Sequence, residues 1–302
     1  IAEAEVEKEK LNVDMYALND RVNDLYFGIL LLDEQIKQNT LLQDELERNY
    51  RQITAYVENG IANQADLDAV KVEQLNTKQK RVDLVSSRAA YLKMLSLLVG
   101  EALSPETVLE KPVPQSTVSA VSEIRRPELA LFDAQGAGLQ VQEKALNVRH
   151  LPQFGLFVQG AYGNPGLDML KNEFSPYYMA GVRLSWNFGS LYTLKNDRRV
   201  IEKKRQQLDN NRDVFLFNTR LEMTQQDQAI HSLEKQMRDD DEIIRLRTNI
   251  RKAAEAKVAN GTLTVTEMLR ELTNESLARQ SKAMHEIQRL MGIYQLKYTT
   301  ND

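Results

Sequence analysis

The chain has 302 residues, 27% of them charged, a net charge of −4, no cysteine, and only 7 prolines and 13 glycines. Mean hydropathy is −0.47, and no apolar run approaches the roughly 18 residues of a membrane-spanning helix. These values exclude disulfides and thiolate or cysteine-ligated metal chemistry, give no electrostatic reason to expect nucleic acid, and favour extended helices with a thin apolar seam.

From about Ala4 to Val57 there is no proline and one glycine, Gly28, which predicts a helix of about 55 residues, roughly 80 Å long. Val22, Leu25, Ile29, Leu32 and Ile36 alternate spacings of three and four, the a/d seam of a coiled coil. Asn59-Gly60 stops the helix. Asn63, three residues before Asp66, caps a second helix that runs to about Val99, with Gly100 as its terminating glycine. Residues 1–100 thus read as a first helical hairpin with its tip near 58–63. Residues 101–120, with Ser104-Pro105, Pro112 and Pro114, read as a connector. Within 121–150, Pro127 opens a shorter helix reaching about Val148.

Residues 151–190 change period. Tyr178, Ala180, Val182, Leu184, Trp186 and Phe188 alternate with Met179, Gly181, Arg183, Ser185 and Asn187, the pattern of a strand. Phe154–Gly163 is a second strand, and Asn164-Pro165-Gly166 begins the loop between them. A breaker-free helix of about 70 residues then reaches Asn260-Gly261. Thr264 with Glu267 forms a capping box, and a last helix extends to about Tyr298. Residues 191–302 are therefore a second hairpin with its tip near 259–264. The fold class is mainly α: two long antiparallel coiled-coil hairpins and one β-hairpin.

The two helical hairpins repeat one another. Val57-Glu58-Asn59-Gly60 returns as Val258-Ala259-Asn260-Gly261, 201 positions later (258 − 57). The same offset pairs Val22 with Met223, Ile29 with Ile230, Leu32 with Leu233, Ile36 with Met237, Leu42 with Ile243 and Leu67 with Met268. A duplicated unit this long implies one fold made twice, with a matched turn at each tip.

Chemistry is sparse. His150, His231 and His285 stand far apart in sequence, and none has a partner at metal-ligand spacing. No phosphate-binding, dinucleotide-binding or serine-hydrolase motif is present, so no catalytic residue, cofactor or metal ligand is assigned. The acidic run Asp239-Asp240-Asp241-Glu242 lies beside Arg238, Arg245 and Arg247 and reads as a solvated or salt-bridged face. Two readings of the β-hairpin stay open: an ordinary ribbon, or barrel strands with Tyr178, Val182, Leu184, Trp186 and Phe188 toward lipid. Lys195, Arg198, Arg199, Lys203, Lys204 and Arg205, with Arg149, either meet phospholipid headgroups or form a solvated helix face interleaved with Asp197 and Glu202. At the tips, Asn59, Gly60, Ile61, Asn260, Gly261, Thr262 and Leu263 either dock a partner or merely cover the hairpin ends.

Arg126-Pro127-Glu128-Leu129, Leu151-Pro152-Gln153 and the strand closing on Trp186-Asn187-Phe188-Gly189 resemble the TolC-like outer-membrane efflux proteins. So do the helix end Leu97-Leu98-Val99-Gly100 and the tip segments Asn59–Leu67 and Asn260–Met268. The resemblance covers essentially the whole chain in order. It implies a homotrimer in the outer membrane of a Gram-negative bacterium, with four strands per protomer in a 12-stranded barrel and a periplasmic helical tunnel. It also implies a periplasmic adaptor protein at the tips, leading to an inner-membrane pump. Because the first half begins inside its long helix, the resemblance implies a helix and strand pair upstream. The family's acidic mouth gate, just past the second tip, falls on Glu267 and on Arg270, where a cation replaces the expected acid. The function implied is a passive exit duct, not an enzyme; the alternative is a soluble periplasmic coiled-coil scaffold or adaptor without channel activity.

Overall fold

The computed structural model describes residues 2–113, 122–170 and 172–301. Its elements run α1 (Ala2–Glu58), α2 (Gln64–Val99), α3 (Pro127–Arg149), β1 (Gln153–Gly163), β2 (Ser175–Ser185), α4 (Ser190–Ala259) and α5 (Val265–Thr300). The helices fall where breaker-free sequence meets a cap. At α2 the Asn63 side chain accepts from the Asp66 N–H at 3.0 Å, and the Asp66 carboxylate accepts from the Asn63 N–H at 3.1 Å. Gly100 closes α2 in the left-handed region at φ 73°. Pro114 and residues 115–120 of the expected connector lie outside the described residues.

The contacts divide the chain into two compact units, Ile1–Leu11 with Pro127–Phe215, and Asn12–Arg126 with Leu216–Asp302. In the second unit the apolar seams make four clusters rather than one thick core. Leu25, Ile29, Leu92 and Leu95 join α1 to α2. Phe27 and Leu30 of α1 meet Ile287 of α5, and Met223 and Ile230 of α4 meet Leu296 of α5. The largest cluster lies at the tips: Leu46, Ile53 and Val70 from the first hairpin pack with Ala254, Val258, Val265, Met268, Leu269 and Leu272 from the second. The connector is pinned to the first hairpin, since Arg88 donates to the carbonyls of Pro105 and Thr107 at 2.7 and 2.8 Å, and the Tyr26 hydroxyl to that of Glu110 at 2.6 Å.

Between the apolar layers, each hairpin carries polar rungs one heptad apart. In the first, Asp33 pairs with Arg88, Thr40 with Arg81 and Glu47 with Gln74. In the second, Glu234 pairs with Arg289, Asp241 with Lys282 and Thr248 with Glu275. Each rung of the second hairpin stands at the 201 offset from one in the first, so the repeat extends from the seam to the cross-links.

In the other unit, β1 and β2 form a two-stranded antiparallel sheet whose register runs from Gln153↔Ser185 to Gly163↔Ser175. Helices α3 and α4 are linked alongside one another by Asp133–Arg212 at 3.0 Å, Glu143–Arg205 at 2.9 Å and Asn147–Arg198 at 2.7 Å. The expected second strand ran to Phe188, but the observed one ends at Ser185. Trp186 and Phe188 therefore belong to the turn into α4 rather than to the strand. The ladder stops at Gln153↔Ser185, next to Pro152, which has no N–H to extend it, and beyond that pair the Trp186 indole N–H donates to the His150 carbonyl at 3.1 Å.

Candidate functional site

The two tips share the same turn. At the first, Gly60 N–H donates to the Val57 carbonyl at 3.0 Å and Ile61 N–H to that of Tyr56 at 2.8 Å. At the second, Gly261 donates to Val258 at 2.9 Å and Thr262 to Lys257 at 2.9 Å. Gly60 and Gly261 stand at φ 71° and 67°, where a side chain would be strained. The Asn59 and Asn260 amides donate back to the Ala55 and Ala256 carbonyls at 2.7 and 2.9 Å, satisfying helix-end acceptors.

The tips differ in what they leave outside. Ile61 is 51% exposed, an apolar side chain presented to solvent beside exposed Asn59 and Gly60. Its counterpart Thr262 is exposed too, with its hydroxyl bonded to the Lys257 carbonyl at 3.0 Å. Leu263, one of the residues open to either reading, is half-buried against the shared tip cluster, as is its counterpart Ala62. That position covers the hairpin end. The presented tip surface is Asn59, Gly60, Ile61, Asn260, Gly261 and Thr262.

Glu267 and Arg270, the expected gate pair, do not bond to each other. The Thr264 backbone N–H and hydroxyl donate to the Glu267 carboxylate at 3.2 and 2.9 Å, and the Glu267 N–H returns a bond to the hydroxyl at 3.2 Å. The bond from the Thr264 hydroxyl is the main reason the Glu267 carboxyl sits below the usual glutamate range. Arg270 is exposed and contacts Glu271 at 3.4 Å. Glu267 is thus the capping carboxylate of α5.

Sequence reasoning missed the most enclosed charge. Glu275 is 2% exposed and accepts from Thr248, Arg251 and Arg279. Burial pushes its carboxyl upward, but the bonds from Arg279, Thr248 and Arg251 outweigh that and hold it below the ordinary value. Heptad placement opposite Thr248, matching Gln74 opposite Glu47, was the available signal. The acidic run resolves similarly: Asp240 is buried against His285 at 2.9 Å, Asp241 binds Lys282, and Glu242 binds Arg245. Among the described residues no group of three or more His, Cys, Asp or Glu could hold a metal ion.

The second surface is the sheet. Its register puts Phe154, Leu156, Val158 and Tyr162 on the same face as Leu184, Val182, Ala180 and Tyr178. That face is apolar throughout, and its large side chains are exposed, Leu156 at 86% and Val182 at 67%. Aromatic rings mark both ends: Tyr162 stacks on Phe174 at 5.7 Å near the loop, and Trp186 lies against Phe188 at 4.4 Å at the foot. The opposite face carries Gln153, Gln159, Ser175 and Ser185, with Phe157 over Gly181 and the Arg183 guanidinium 5.6 Å from the Phe157 ring. Arg183 is the sole charged residue in either strand. The sequence reading named only the β2 members; β1 supplies Phe154, Leu156, Val158 and Tyr162.

No helix of the described residues is long and apolar enough to cross a membrane. No protein-family model matches the sequence, and no curated protein matches it. Solved structures do. The outer membrane protein VceC from Vibrio cholerae superposes with a TM-score of 0.82 at 11% identity, over 99% of this chain and 73% of that one. The channel-forming protein CusC gives 0.80 at 16%, over 99% and 72%. The Campylobacter jejuni CmeC outer membrane channel gives 0.76 at 11%, over 99% and 65%. The chain thus has the fold of TolC-type outer-membrane channels and spans roughly two thirds to three quarters of their length.

Proposed function

We propose that this chain is part of the outer-membrane exit duct of a tripartite export system, a passive conduit that docks a periplasmic adaptor through its tips and so reaches an inner-membrane pump. The observation that carries this reading is the uninterrupted apolar, exposed face of the β-hairpin on a fold whose solved examples are outer-membrane channels. An isolated two-stranded ribbon is marginal in water, whereas eleven-residue strands, apolar on one side and ringed by aromatics, suit a tilted barrel wall. Strands from further sequence and from other copies complete such a barrel. Assembly as a homotrimer is supported by apolar stripes left open on the helices, Val72, Leu75 and Val82 on α2 and Ile243, Leu246 and Ile250 on α4. These repeat at seam spacing and suit neighbouring helices of another copy.

The soluble scaffold reading leaves the apolar sheet face in water and is not favoured. Adaptor docking is tested on the presented tip positions: Ile61→Glu with Thr262→Glu introduces charge without touching the shared tip cluster. The double variant of the full-length protein is expected to lose pump-dependent export while keeping normal outer-membrane abundance. Wild-type export from this variant would exclude the tips as the docking surface.

A further inference from the structure

The foot of the β-hairpin is where β1 begins, β2 ends, α3 finishes and α4 starts, and four cations gather there. We infer that Arg149, Lys195, Arg198 and Arg199 form a binding site for the phosphates of anionic phospholipid in the leaflet that meets this end of the strands; the inference rests on the barrel reading above.

The chemistry follows from position. Arg149 is the last residue of α3, and Lys195, Arg198 and Arg199 fall in the opening turns of α4, at spacings of three and four that share one face. All four side chains are exposed. Among the described residues none of them has a carboxylate partner; Arg198 donates instead to the neutral Asn147 amide at 2.7 Å, which ties the last turn of α3 to the opening of α4. Asp197 is half-buried on the same stretch and forms no ion pair with any of the four. Further along α4, Arg205 is taken by Glu143 at 2.9 Å. Lys203 donates to the neutral Gln206 amide at 2.9 Å, so among the described residues the cations without a carboxylate partner extend from the strand end into the fourth turn of α4.

Depth and direction agree. Lys195 stands about 7 Å along the helix from its start, and Arg198 and Arg199 about 12–13 Å, within reach of a headgroup layer for long side chains that extend toward it. Helical side chains lean toward the helix N-terminus, which in α4 is the strand end, so these cations tilt toward the sheet. The first turn of α4 holds no acidic residue to oppose an anion. Trp186 and Phe188, half-exposed at the same foot, supply the amphipathic aromatic pair that sits at a headgroup boundary. Each cation near an anionic surface contributes roughly fivefold in binding at low salt.

Trp186 is the only tryptophan in the chain and reports on the site directly. The full-length trimer is reconstituted in phosphatidylethanolamine vesicles with a minor fraction of phosphatidylglycerol, one lipid or the other brominated. The Trp186→Phe variant supplies the background. Quenching by phosphatidylglycerol is expected to exceed its mole fraction several-fold and to weaken with salt. It should fall to the mole fraction in R149Q/K195Q/R198Q/R199Q, and partly in K195Q/R199Q should the quadruple variant not fold. K203Q/K204Q should behave as wild type. Quenching at the mole fraction in the wild type, or enrichment unchanged by K195Q/R199Q, would overturn the inference. Displacement of the lipid by millimolar inorganic phosphate would assign the cations to free phosphate and overturn it too. Trp186 unquenched by either lipid would instead sink the barrel reading beneath it.

Discussion

Replacing Glu275 by Gln keeps the side chain's shape and removes its charge from the most enclosed rung of the second hairpin. The bond from Arg251 lies in a site where Arg251 is 15% exposed, so its loss costs about 1.5–3 kcal/mol. Arg279 is 44% exposed, and solvent discounts its bond to about 0.5 kcal/mol. The Thr248 hydroxyl can still donate to the amide oxygen. The sum is about 2–3.5 kcal/mol, or roughly 3–6 °C in Tm for a chain of this size. Gln74 occupies the same rung of the first hairpin, donating to the half-exposed Glu47 at 3.0 Å and accepting from the exposed Lys71 at 3.2 Å; with both partners in solvent, Gln74→Ala should cost less than about 1 kcal/mol. The acid dependence has a definite sign. The Glu275 carboxyl is held below its ordinary value, so its contribution is complete above that value and disappears as pH falls through the lower folded one. The gap between wild type and Glu275→Gln should be constant near neutrality and close only in strong acid. Far-UV circular dichroism melts of the three proteins across pH decide the matter. A melting temperature for Glu275→Gln within about 1 °C of wild type, or a gap that widens in acid, would refute the reasoning.

Two further outcomes follow from the sheet. Val182→Arg places a cation in the middle of the apolar face and should cost about 2–4 kcal/mol at membrane mid-depth, read as loss of heat-resistant trimer in outer-membrane fractions; Gln159→Arg, on the other face, should leave trimer intact. Arg183→Glu reverses the charge that the hairpin offers on its polar face, and the zero-current potential of the reconstituted trimer under a low-salt gradient should move toward cation preference; an unmoved potential would remove Arg183 from the conduction path.

The helices were legible because their signals are local. Breaker-free heptads, Asn63 with Asp66, Thr264 with Glu267, and the glycines at 60, 100 and 261 each act within one turn of chain, and all formed as expected. Signals that needed a partner were misread or missed. Alternation alone could not end β2 at Ser185, since that end is set by where its partner strand begins, at Gln153, 32 residues upstream. Leu263 looked presentable until the cluster formed by both hairpins covered it. Glu275 resembled any helical surface acid, because its burial depends on Thr248 and Arg251 across the hairpin. Half of the apolar sheet face went unnamed because β1 gains its meaning only once its register with β2 is set.

The heptad rungs also settle a degeneracy that an apolar seam leaves open. Sliding one helix of a coiled coil by seven residues matches leucine to leucine again, so hydrophobic packing alone penalises the error weakly. Here such a slip is chemically marked in both directions. In the second hairpin one shift would set Asp241 against Glu275, and the opposite shift would press Glu234 onto buried Leu296. In the first, the corresponding errors would bring Glu47 against Leu67 or Asp33 against buried Leu95. The rungs act as a proofreading scale along each arm, because only one alignment satisfies all three at once.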